Sequence, residues 1–372
     1  MELYIHIPFC KKKCKYCDFL SWDCSIDKVD AYIRALIEDI KYSLSIQNSD
    51  SGKVVLKSIY IGGGTPGIID ASHIEHLLDA VRECSEITEN AEITIEVNPC
   101  TVTEEKAVRY FNAGINRVSM GVQSFNDREL KLLGRAHSEQ DVYNAYKILR
   151  SAGFKNINMD LIQGLPGQST GDFVTSLDKM IALNPEHISA YELLIEPGTS
   201  FYNMYGPESG YEFDDDVQAD IYAETVKRLK EAGYEQYEIS NYSKTGYNSV
   251  HNSGYWIGEP YIGCGLGAVG YIGDRRITKL QTIEEYILNP LAYTTEIISP
   301  EEKKQEFIYL GMRMKRGISV KSYEEKFGEK FPEAYDKIFE RYIPDYVIKE
   351  NDRYYFTTDG FLVSNTILSE FV

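Results

Sequence analysis

Short apolar strands alternate with longer amphipathic stretches through about the first 233 residues of this 372-residue chain. The strand pattern is rich in β-branched and aromatic residues and covers Leu3–Ile7, Ser58–Ile61, Glu92–Val97, Arg117–Met120, Asn156–Leu161 and His187–Tyr191. Helical periodicity lies near residues 27–46, 71–84, 103–113, 139–152, 170–183 and 214–232. This alternation predicts an α/β fold with a parallel sheet inside and helices outside. Six such units predict a partial, TIM-like (β/α)6 barrel, open or closed, over residues 1–233.

Unusual residues fall in the loops that follow these strands. They are Cys10–Cys17, Gly62–Pro66, Glu96–Pro99, Gln123–Phe125, and Asp160 with Gly164–Gly167. Because a parallel barrel gathers the loops after its strands at one rim, segments far apart in sequence are predicted to meet there. We therefore expect the functional site at the carboxyl ends of the strands.

The pattern changes after residue 233. Residues 234–280 are rich in Gly, Tyr and Asn and are predicted to form an irregular β connecting segment. Helical patterns then lie near 284–289, 300–312, 321–327 and 333–341, followed by a predicted hairpin of Tyr346–Lys349 and Tyr354–Thr357 and a last helix near 359–370. Residues 281–372 are thus expected to form a small α+β, winged-helix-like domain.

Charge and cysteine usage limit the class of protein. The net charge of −18 repels phosphate backbones, so no nucleic-acid partner is expected, and Lys11 to Lys13 are interpreted as a solvated loop. No apolar run is long enough to span a bilayer and no secretory signal is visible. The seven cysteines are an odd number, and three of them lie within eight residues. A metal site in a reducing cytoplasm fits this better than a secreted disulfide framework.

The clustered cysteines have the spacing Cys10-x3-Cys14-x2-Cys17. Zinc sites and iron–sulfur clusters both usually take four protein ligands, and the nearest fourth thiol is Cys24. Three ligands leave one iron of a 4Fe–4S cluster open, which suits a cluster that binds a substrate. Zinc remains an alternative at this point. Cys84 and Cys100 are expected to be structural.

These residues resemble a known superfamily. A Cys-x3-Cys-x2-Cys loop after a first strand is similar to that of radical S-adenosylmethionine proteins, and Gly62–Pro66 (GGGTP) resembles their glycine-rich loop. Nearly the whole chain resembles the oxygen-independent coproporphyrinogen III oxidase family. The similar segments are Tyr4–Cys10 (YIHIPFC), Arg117–Phe125 (RVSMGVQSF), Leu133–His137 (LGRAH) and Asp160–Gln168 (DLIQGLPGQ).

The resemblance implies a 4Fe–4S cluster on Cys10, Cys14 and Cys17 with S-adenosylmethionine as the remaining ligand. It also implies the residues that line the S-adenosylmethionine site, namely Tyr4, Tyr16, Gly63, Gly64, Thr65, Glu96, Gln123, Arg135 and Asp160, with Leu194 and Val269 as apolar contacts on the adenine side. Arg135 could pair with a carboxylate, Glu96 could accept from an amino group, and Asp160 could accept from ribose hydroxyls. Taken singly, each could also be a surface ion-pair residue or a helix cap.

Two branches of that family share these motifs. The oxidases resemble a Cys-x3-Cys-x2-Cys-x-Cys pattern and carry an extension before it, whereas this chain has Phe19 at the fourth cysteine position and Cys10 close to its start. The heme chaperone branch carries His-Asn-x-x-Tyr-Trp, which resembles His251–Trp256 (HNSGYW). Other segments similar to that branch are Glu238–Tyr242, Tyr261–Gly265, Leu310–Arg313 and Leu362–Asn365. One departure is Val269, where the branch commonly has histidine.

The resemblance therefore favours a cytoplasmic heme chaperone that passes heme to an acceptor protein, with S-adenosylmethionine cleavage left open. Histidine is a common axial ligand of heme iron, so His251 is the predicted ligand and Cys264 the alternative, while Tyr255 and Trp256 could stack on the porphyrin. The residues alone favour a structural role, in which His251 and Asn252 cap a turn while Tyr255 and Trp256 fill the seam between domains. An electron donor such as a flavodoxin or ferredoxin is a further expected partner, and a membrane would be reached only through the acceptor. The competing hypotheses are a coproporphyrinogen III oxidase and a zinc-stabilised binding module.

Overall fold

The computed structural model describes residues 1–23, 26–49 and 52–371, so Cys24, the nearest fourth thiol, lies outside the described residues. The strands are β1 Glu2–Ile7, β2 Phe9–Cys10, β3 Trp22–Asp23, β4 Val55–Gly63, β5 Glu86–Val97, β6 Arg117–Gln123, β7 Ile157–Gln163, β8 His187–Glu192, β9 Glu235–Gln236, β10 Asn241–Ser243, β11 Tyr261–Cys264, β12 Val269–Ile272, β13 Arg275–Lys279, β14 Tyr293–Ile297, β15 Ile318–Ser319, β16 Val347–Glu350 and β17 Arg353–Phe356.

The helices are α1 Ile26–Ser45, α2 Ala71–Cys84, α3 Glu104–Asn112, α4 Asp127–Leu133, α5 Glu139–Ala152, α6 Thr170–Leu183, α7 Ser200–Tyr205, α8 Asp215–Glu231, α9 Val250–Ile257, α10 Ile283–Leu288, α11 Pro300–Gly311, α12 Val320–Phe327, α13 Glu333–Glu340, α14 Thr358–Leu362 and α15 Ser364–Leu368. Short 3-10 turns cover Pro66–Ile68, Pro99–Thr101, Pro207–Ser209 and Ser369–Phe371. Within the described part of the chain, no helix has the length and apolar character needed to cross a membrane.

The six predicted strands form the parallel core of the molecule. Strands β1, β4, β5, β6, β7 and β8 lie side by side in that order, and each pair between them is parallel. On β1, Leu3, Ile5 and Ile7 are fully buried against the surrounding helices, and the alternate residues Tyr4 and His6 point the other way, into the barrel. The predicted α/β fold and its partial barrel are confirmed.

Local signals fix where the outer helices begin and end. The Asp70 side chain accepts a hydrogen bond from the backbone of Ser72 at the start of α2, and Thr103 caps α3 in the same way. Helix α5 ends at Gly153, which has a φ of 109°, a backbone conformation that glycine adopts without strain. These signals explain why the predicted helices agree closely with the observed bounds.

Residues 234–280 differ from the predicted irregular β segment. Strand β11 pairs in parallel with β1, and β12, β13 and β14 continue the same sheet in antiparallel order. At the other edge, β10 pairs antiparallel with β8. The segment also forms helix α9, which carries residues 251–256. The main sheet therefore extends well beyond the barrel, because β11 pairs with β1 and β10 pairs with β8, strands that lie much earlier in the sequence.

Residues 308–371, together with Tyr222 of α8, build a second hydrophobic core around Phe339, Tyr354 and Phe356. The predicted hairpin is present as β16 and β17, and β15 adds a third strand. The predicted last helix near 359–370 is instead the two short helices α14 and α15 and a 3-10 turn. This core packs beside the barrel and forms one wall of the larger cavity described below.

Candidate functional site

A cavity of about 430 Å³ lies where the loops after the parallel strands meet. It brings together most of the residues that the sequence assigned to a cluster and S-adenosylmethionine: Cys10, Cys14, Tyr16, Cys17, Gly63, Gly64, Thr65, Glu96, Gln123, Arg135, Asp160 and Leu194. Two of the assigned residues, Tyr4 and Val269, line a different and larger cavity. The prediction that these loops share one rim is thus met in the geometry of the barrel.

The cysteine loop is held against the barrel by backbone contacts. The backbone N–H of Lys15 donates to Leu133 (3.0 Å), and the carbonyl of Lys15 accepts from the backbone N–H of Phe201 (2.9 Å). Gly134 allows this approach, since it has a φ of 77° and a Cβ there would lie 3.3 Å from the Lys15 side chain. The loop is therefore positioned by α4 and α7, two helices that the sequence patterns did not predict.

The three thiols are suited to a cluster more than to a single ion. The Cys10 Sγ lies 3.6 Å from the Thr65 hydroxyl, and an Arg135 N–H donates to the Cys14 Sγ at 3.6 Å. Three thiols are one ligand fewer than a structural zinc site usually takes, and in a 4Fe–4S cluster they leave one iron open for a substrate. The donor set of three thiols beside a cationic side chain fits a 4Fe–4S cluster.

Burial shapes the chemistry of these thiols. It raises the pKa of Cys17 to about 11 and also raises the pKa of Cys10. Without a bound metal both groups are thus neutral thiols at neutral pH. Because iron binds the thiolate, cluster assembly here must release protons.

The glycine run brings backbone close to the cavity. Gly63 has a φ of 116°, and a Cβ on it would lie 2.6 Å from the His6 ring. A Cβ on Gly64 would lie 2.7 Å from the Phe9 carbonyl oxygen and 3.0 Å from the Cys10 Sγ. Larger residues would therefore displace both β1 and the cysteine loop, which explains the need for glycine at both positions.

Glu96 is a buried carboxyl at the end of β5. Its oxygens accept hydrogen bonds from the Tyr60 hydroxyl (2.7 Å) and from the backbone N–H of Gly63 (3.1 Å). Burial is the main cause that raises its pKa to about 7, and the nearby Asp160 carboxyl adds to the effect. A cationic amino group placed beside Glu96 would favour the ionised form.

We expect S-adenosylmethionine to bind about tenfold more weakly at pH 6 than at pH 8 in the cluster-loaded protein, since a carboxyl with a pKa near 7 must lose its proton to pair with an ammonium. Affinity should rise with pH through about 7 and then level off. Calorimetric titration across this range would measure it. The Glu96→Gln variant should bind weakly without that pH dependence, whereas Glu196→Gln, which removes another carboxylate of the same cavity, should keep it.

The Arg135 guanidinium lies in the wall of the small cavity and is held there by hydrogen bonds. One of its terminal nitrogens donates to the Asn98 side chain and to the Gly121 carbonyl (2.7 Å), and its buried Nε has no partner among the described residues. A Cβ on Gly121 would lie 3.2 Å from the guanidinium, so glycine leaves room for it. Because Arg135 lines the cavity, its guanidinium can pair with the carboxylate of a ligand there.

Gln123 and Asp160 complete the rim of the cavity. Gln123 has a φ of 70° at a register shift between β6 and β7, a strained conformation for a residue other than glycine. Its side chain accepts a hydrogen bond from Tyr191 at 2.9 Å. Asp160 accepts from Asn158 at 2.7 Å, and burial raises its pKa. Sequence reasoning did not single out Tyr191, although it ends the sixth predicted strand, where site residues were expected.

A second cavity of about 1020 Å³ lies between the open side of the barrel, the β11–β13 sheet and helices α11 and α12. Its walls are rich in aromatic side chains: Tyr4, Tyr255, Trp256, Tyr261, Tyr271, Phe307 and Tyr309. Five cationic residues line it as well: Arg276, Lys303, Arg316, Lys326 and Arg353. Apolar walls with a few charged groups are typical of sites for large organic ligands.

His251 does not line either cavity. It is 1 % exposed, its Nδ1 lies 2.9 Å from the Ser58 hydroxyl, and its Nε2 lies 2.8 Å from the Tyr255 hydroxyl. Burial lowers its pKa to about 3, so the ring is neutral. The predicted iron ligand is thus enclosed at the amino end of the barrel, where it holds Tyr255 at the cavity wall.

The buried carboxylate of Glu92 positions the start of helix α9. Glu92 accepts hydrogen bonds from the backbone N–H groups of Val250 (3.0 Å) and His251 (3.1 Å) at the start of the helix. Gly254 then lies so close to Glu2 that a Cβ would be 1.9 Å from its carboxyl oxygen. The helix therefore presents Tyr255 to the large cavity and turns His251 into the barrel.

Cys264, the alternative ligand, is fully buried and also lies outside both cavities. Its neighbourhood contains an ion pair between Asp39 and Lys279, and Asp39 further accepts from Tyr286 (2.8 Å) and the backbone of Gly265 (3.0 Å). Burial raises the pKa of the Cys264 thiol well above its ordinary value. Asp39 thus holds the backbone of the turn after β11, and Cys264 is a buried side chain beside it.

Comparisons with known proteins show the family to which the chain belongs. Residues 4–180 match the Radical SAM superfamily, and residues 298–362 match the HemN C-terminal domain. The chain is 35% identical to heme chaperone HemW of Lactococcus lactis over 99% of this chain and 96% of that protein. It is 34% identical to heme chaperone HemW of Bacillus subtilis over 99% of this chain and 98% of that protein.

Among solved structures, coproporphyrinogen III oxidase (HemN) from Escherichia coli has the same fold, with a TM-score of 0.84 and 22% identity over 100% of this chain and 89% of that one. The fold and the cysteine-lined rim define a radical S-adenosylmethionine scaffold, the class that carries a 4Fe–4S cluster and S-adenosylmethionine. Within that class, the chain belongs to the HemW branch of the HemN family.

Proposed function

We propose that this protein is a heme chaperone that binds heme in the 1020 Å³ cavity and transfers it to an acceptor protein. The observation that carries the proposal is the composition of that cavity. Aromatic walls suit the faces of a porphyrin, and the cationic residues suit its two propionate groups. The names of the HemW relatives support the same function.

The cavity offers groups that can contact the heme iron. The His6 imidazole lines it, with Nδ1 at 3.0 Å from the Tyr4 hydroxyl and Nε2 at 3.3 Å from the Leu20 carbonyl. Burial lowers the pKa of His6 to about 4, so the ring is neutral. Because the Leu20 carbonyl can only accept, Nε2 carries the proton, and Nδ1 would exchange the Tyr4 hydroxyl for iron. Histidine and tyrosine both occur as axial ligands, which makes His6 and Tyr255 the candidates here.

The edge of the cavity suits transfer of the cargo. Phe19, Ile257 and Tyr309 line it and are 62%, 44% and 40% exposed. An apolar rim of this kind is a surface on which an acceptor could dock while heme leaves. A cytoplasmic location for this exchange is supported by the free thiols of the described cysteines.

The small cavity would bind the cluster and S-adenosylmethionine next to the cargo. A reduced cluster would supply an electron for reductive cleavage of S-adenosylmethionine. Cys10, Cys14 and Cys17 would hold the cluster, while Glu96, Arg135 and Asp160 would orient the amino acid and ribose parts of S-adenosylmethionine. An electron donor such as a flavodoxin or ferredoxin, both acidic proteins, would be attracted by Lys11, Lys12 and Lys13, which are exposed beside the cysteines.

The Val269→Trp and Leu194→Trp variants test this assignment of ligands to cavities. Val269 lines only the large cavity and Leu194 only the small one. A bulky ring at position 269 should weaken heme binding about tenfold by occupying space while leaving S-adenosylmethionine binding near that of the parent. Leu194→Trp should have the opposite effect. Titration of the heme Soret band and of S-adenosylmethionine into the anaerobically reconstituted protein would measure both.

The parent should also deliver its heme to apomyoglobin, which captures any heme that the protein releases. Absence of saturable heme binding would contradict the proposed function, and loss of both ligands in one variant would contradict the assignment. Protoporphyrinogen formed from coproporphyrinogen III would instead support the oxidase hypothesis.

A further inference from the structure

The two cavities share part of their wall. Asp18 and Phe19 line both of them, directly after the last cysteine of the loop. The Phe19 side chain is 62% exposed, although phenylalanine is among the residues most often buried. A large apolar ring thus stands at the junction between a cavity for S-adenosylmethionine and a cavity for heme.

The backbone on both sides of Phe19 is fixed. Before it, the N–H of Cys17 donates to the Cys14 carbonyl at 3.3 Å. After it, the carbonyl of Leu20 lies 3.3 Å from His6 Nε2, and a Cβ on Gly267 would lie 2.4 Å from the Leu20 side chain. Contacts therefore hold the chain at Cys17 and at Leu20, and the exposed Phe19 side chain lies on the short segment between them.

We propose that Phe19 couples the two cavities, so that heme and S-adenosylmethionine each bind more tightly when the other is present. The inference rests on the proposed heme site. A ligand in either cavity can pack against the exposed ring, and the first ligand to do so restricts its rotation. The second ligand then meets a ring that is already ordered and loses less conformational entropy on binding.

The neighbouring residues explain why the effect is assigned to the ring of Phe19. Asp18 also lines both cavities, but a carboxylate provides no apolar face against which a porphyrin or an adenine could pack. Leu194 is similarly exposed, at 65%, yet it lines only the small cavity. Of these three residues, Phe19 alone combines an apolar surface with contact to both sites.

The experiment measures four dissociation constants on the cluster-loaded protein under anaerobic conditions. Heme is titrated with and without saturating S-adenosylmethionine, and S-adenosylmethionine with and without saturating heme. Each ligand should tighten the other by about threefold, the size expected from ordering one side chain, and the two factors should be equal because thermodynamic coupling is reciprocal. In Phe19→Ala both factors should fall to about one, while Phe19→Tyr, which keeps the ring, should retain them.

Two control variants separate coupling from simple loss of binding. Leu194→Ala should weaken S-adenosylmethionine binding and keep the coupling factor, and Leu288→Ala, which is 86% exposed and lines neither cavity, should behave as the parent. Heme binding with a factor of one in the parent, or an unchanged factor in Phe19→Ala, would overturn the role of Phe19 and leave the proposed function standing. Absence of heme binding in the parent would overturn both.

Discussion

Changing Cys14 to serine (Cys14→Ser) is expected to leave the protein purified under anaerobic conditions without iron or acid-labile sulfide, against about four irons per chain in the parent. Cys10→Ser and Cys17→Ser should give the same result. The reason is the number of ligands: three thiols line the cavity, and loss of one leaves only two protein ligands for the cluster. Burial already raises the pKa of Cys10 and Cys17, so the thiolates depend on bound iron to persist.

Cys84→Ser and Cys100→Ser are the matched controls, because both cysteines are free thiols that lie outside the cluster loop. Each should retain the iron and sulfide of the parent. Iron and sulfide analysis, together with the cluster absorption band, measures the result. Zinc in place of iron in the parent would contradict the cluster and support the zinc-stabilised module, and a full cluster in Cys14→Ser would contradict the ligand assignment.

The barrel and its rim could be predicted because the signals that define them are local. Alternating apolar residues mark β1, and caps such as Asp70 and Gly153 mark the helix ends. Once the strands are parallel, their following loops must share a rim, which places Cys10 and Asp160 together although 150 residues separate them in sequence. The parallel order of the strands is therefore enough to place residues from separate local motifs in one site.

The position of His251 could not be predicted in this way. Its partners are Ser58 and Tyr255, and the first of these lies 193 residues away in sequence. The motif shows a histidine beside aromatic residues, but the rotation of α9 depends on Glu92 and on the close approach of Gly254 to Glu2. Such long-range contacts decide which side of a short helix faces a cavity. They cannot be predicted from the spacing of residues within the motif.

The placement of Tyr4 and Val269 has a related cause. Tyr4 points into the barrel because it alternates with buried apolar residues of β1, but which cavity it lines depends on where the C-terminal helices pack. Val269 begins β12, a strand of the segment that the sequence left irregular. Without the pairing of β11 with β1, the wall that Val269 contributes could not be anticipated.

Replacing two lysines of the large cavity with methionine is expected to weaken heme binding by about 100-fold. Lys303 lies on α11 and Lys326 on α12, and neither forms an ion pair with a described residue, whereas Arg276 beside them is paired with Glu306. Partial burial is the main cause that lowers the pKa of Lys326; the Glu306 carboxylate raises this pKa, and the positive charge of Lys303 lowers it. Two cations that repel each other at a cavity wall would be stabilised by the two carboxylates of heme.

Each charge-assisted hydrogen bond contributes about 1.5–3 kcal/mol, and partial exposure of the rim favours the lower end, about tenfold for each lysine. Soret titration of Lys303→Met, Lys326→Met and the double variant would measure this. Lys304→Met is the matched control, since Lys304 is adjacent on α11 but pairs with Glu329 and lies outside the cavity. It should bind heme as the parent does.

Heme dimethyl ester separates direct pairing from a general effect of charge. The ester has the same ring and iron but no propionate charge, so it should bind the parent about 100-fold more weakly than heme does. The double variant should then bind heme and the ester with similar affinity, because the lysines and the carboxylates act on one interaction and their losses are not additive. Additive losses would show that the lysines stabilise the cavity without contacting the propionates, and the cationic rim would lose its assigned role.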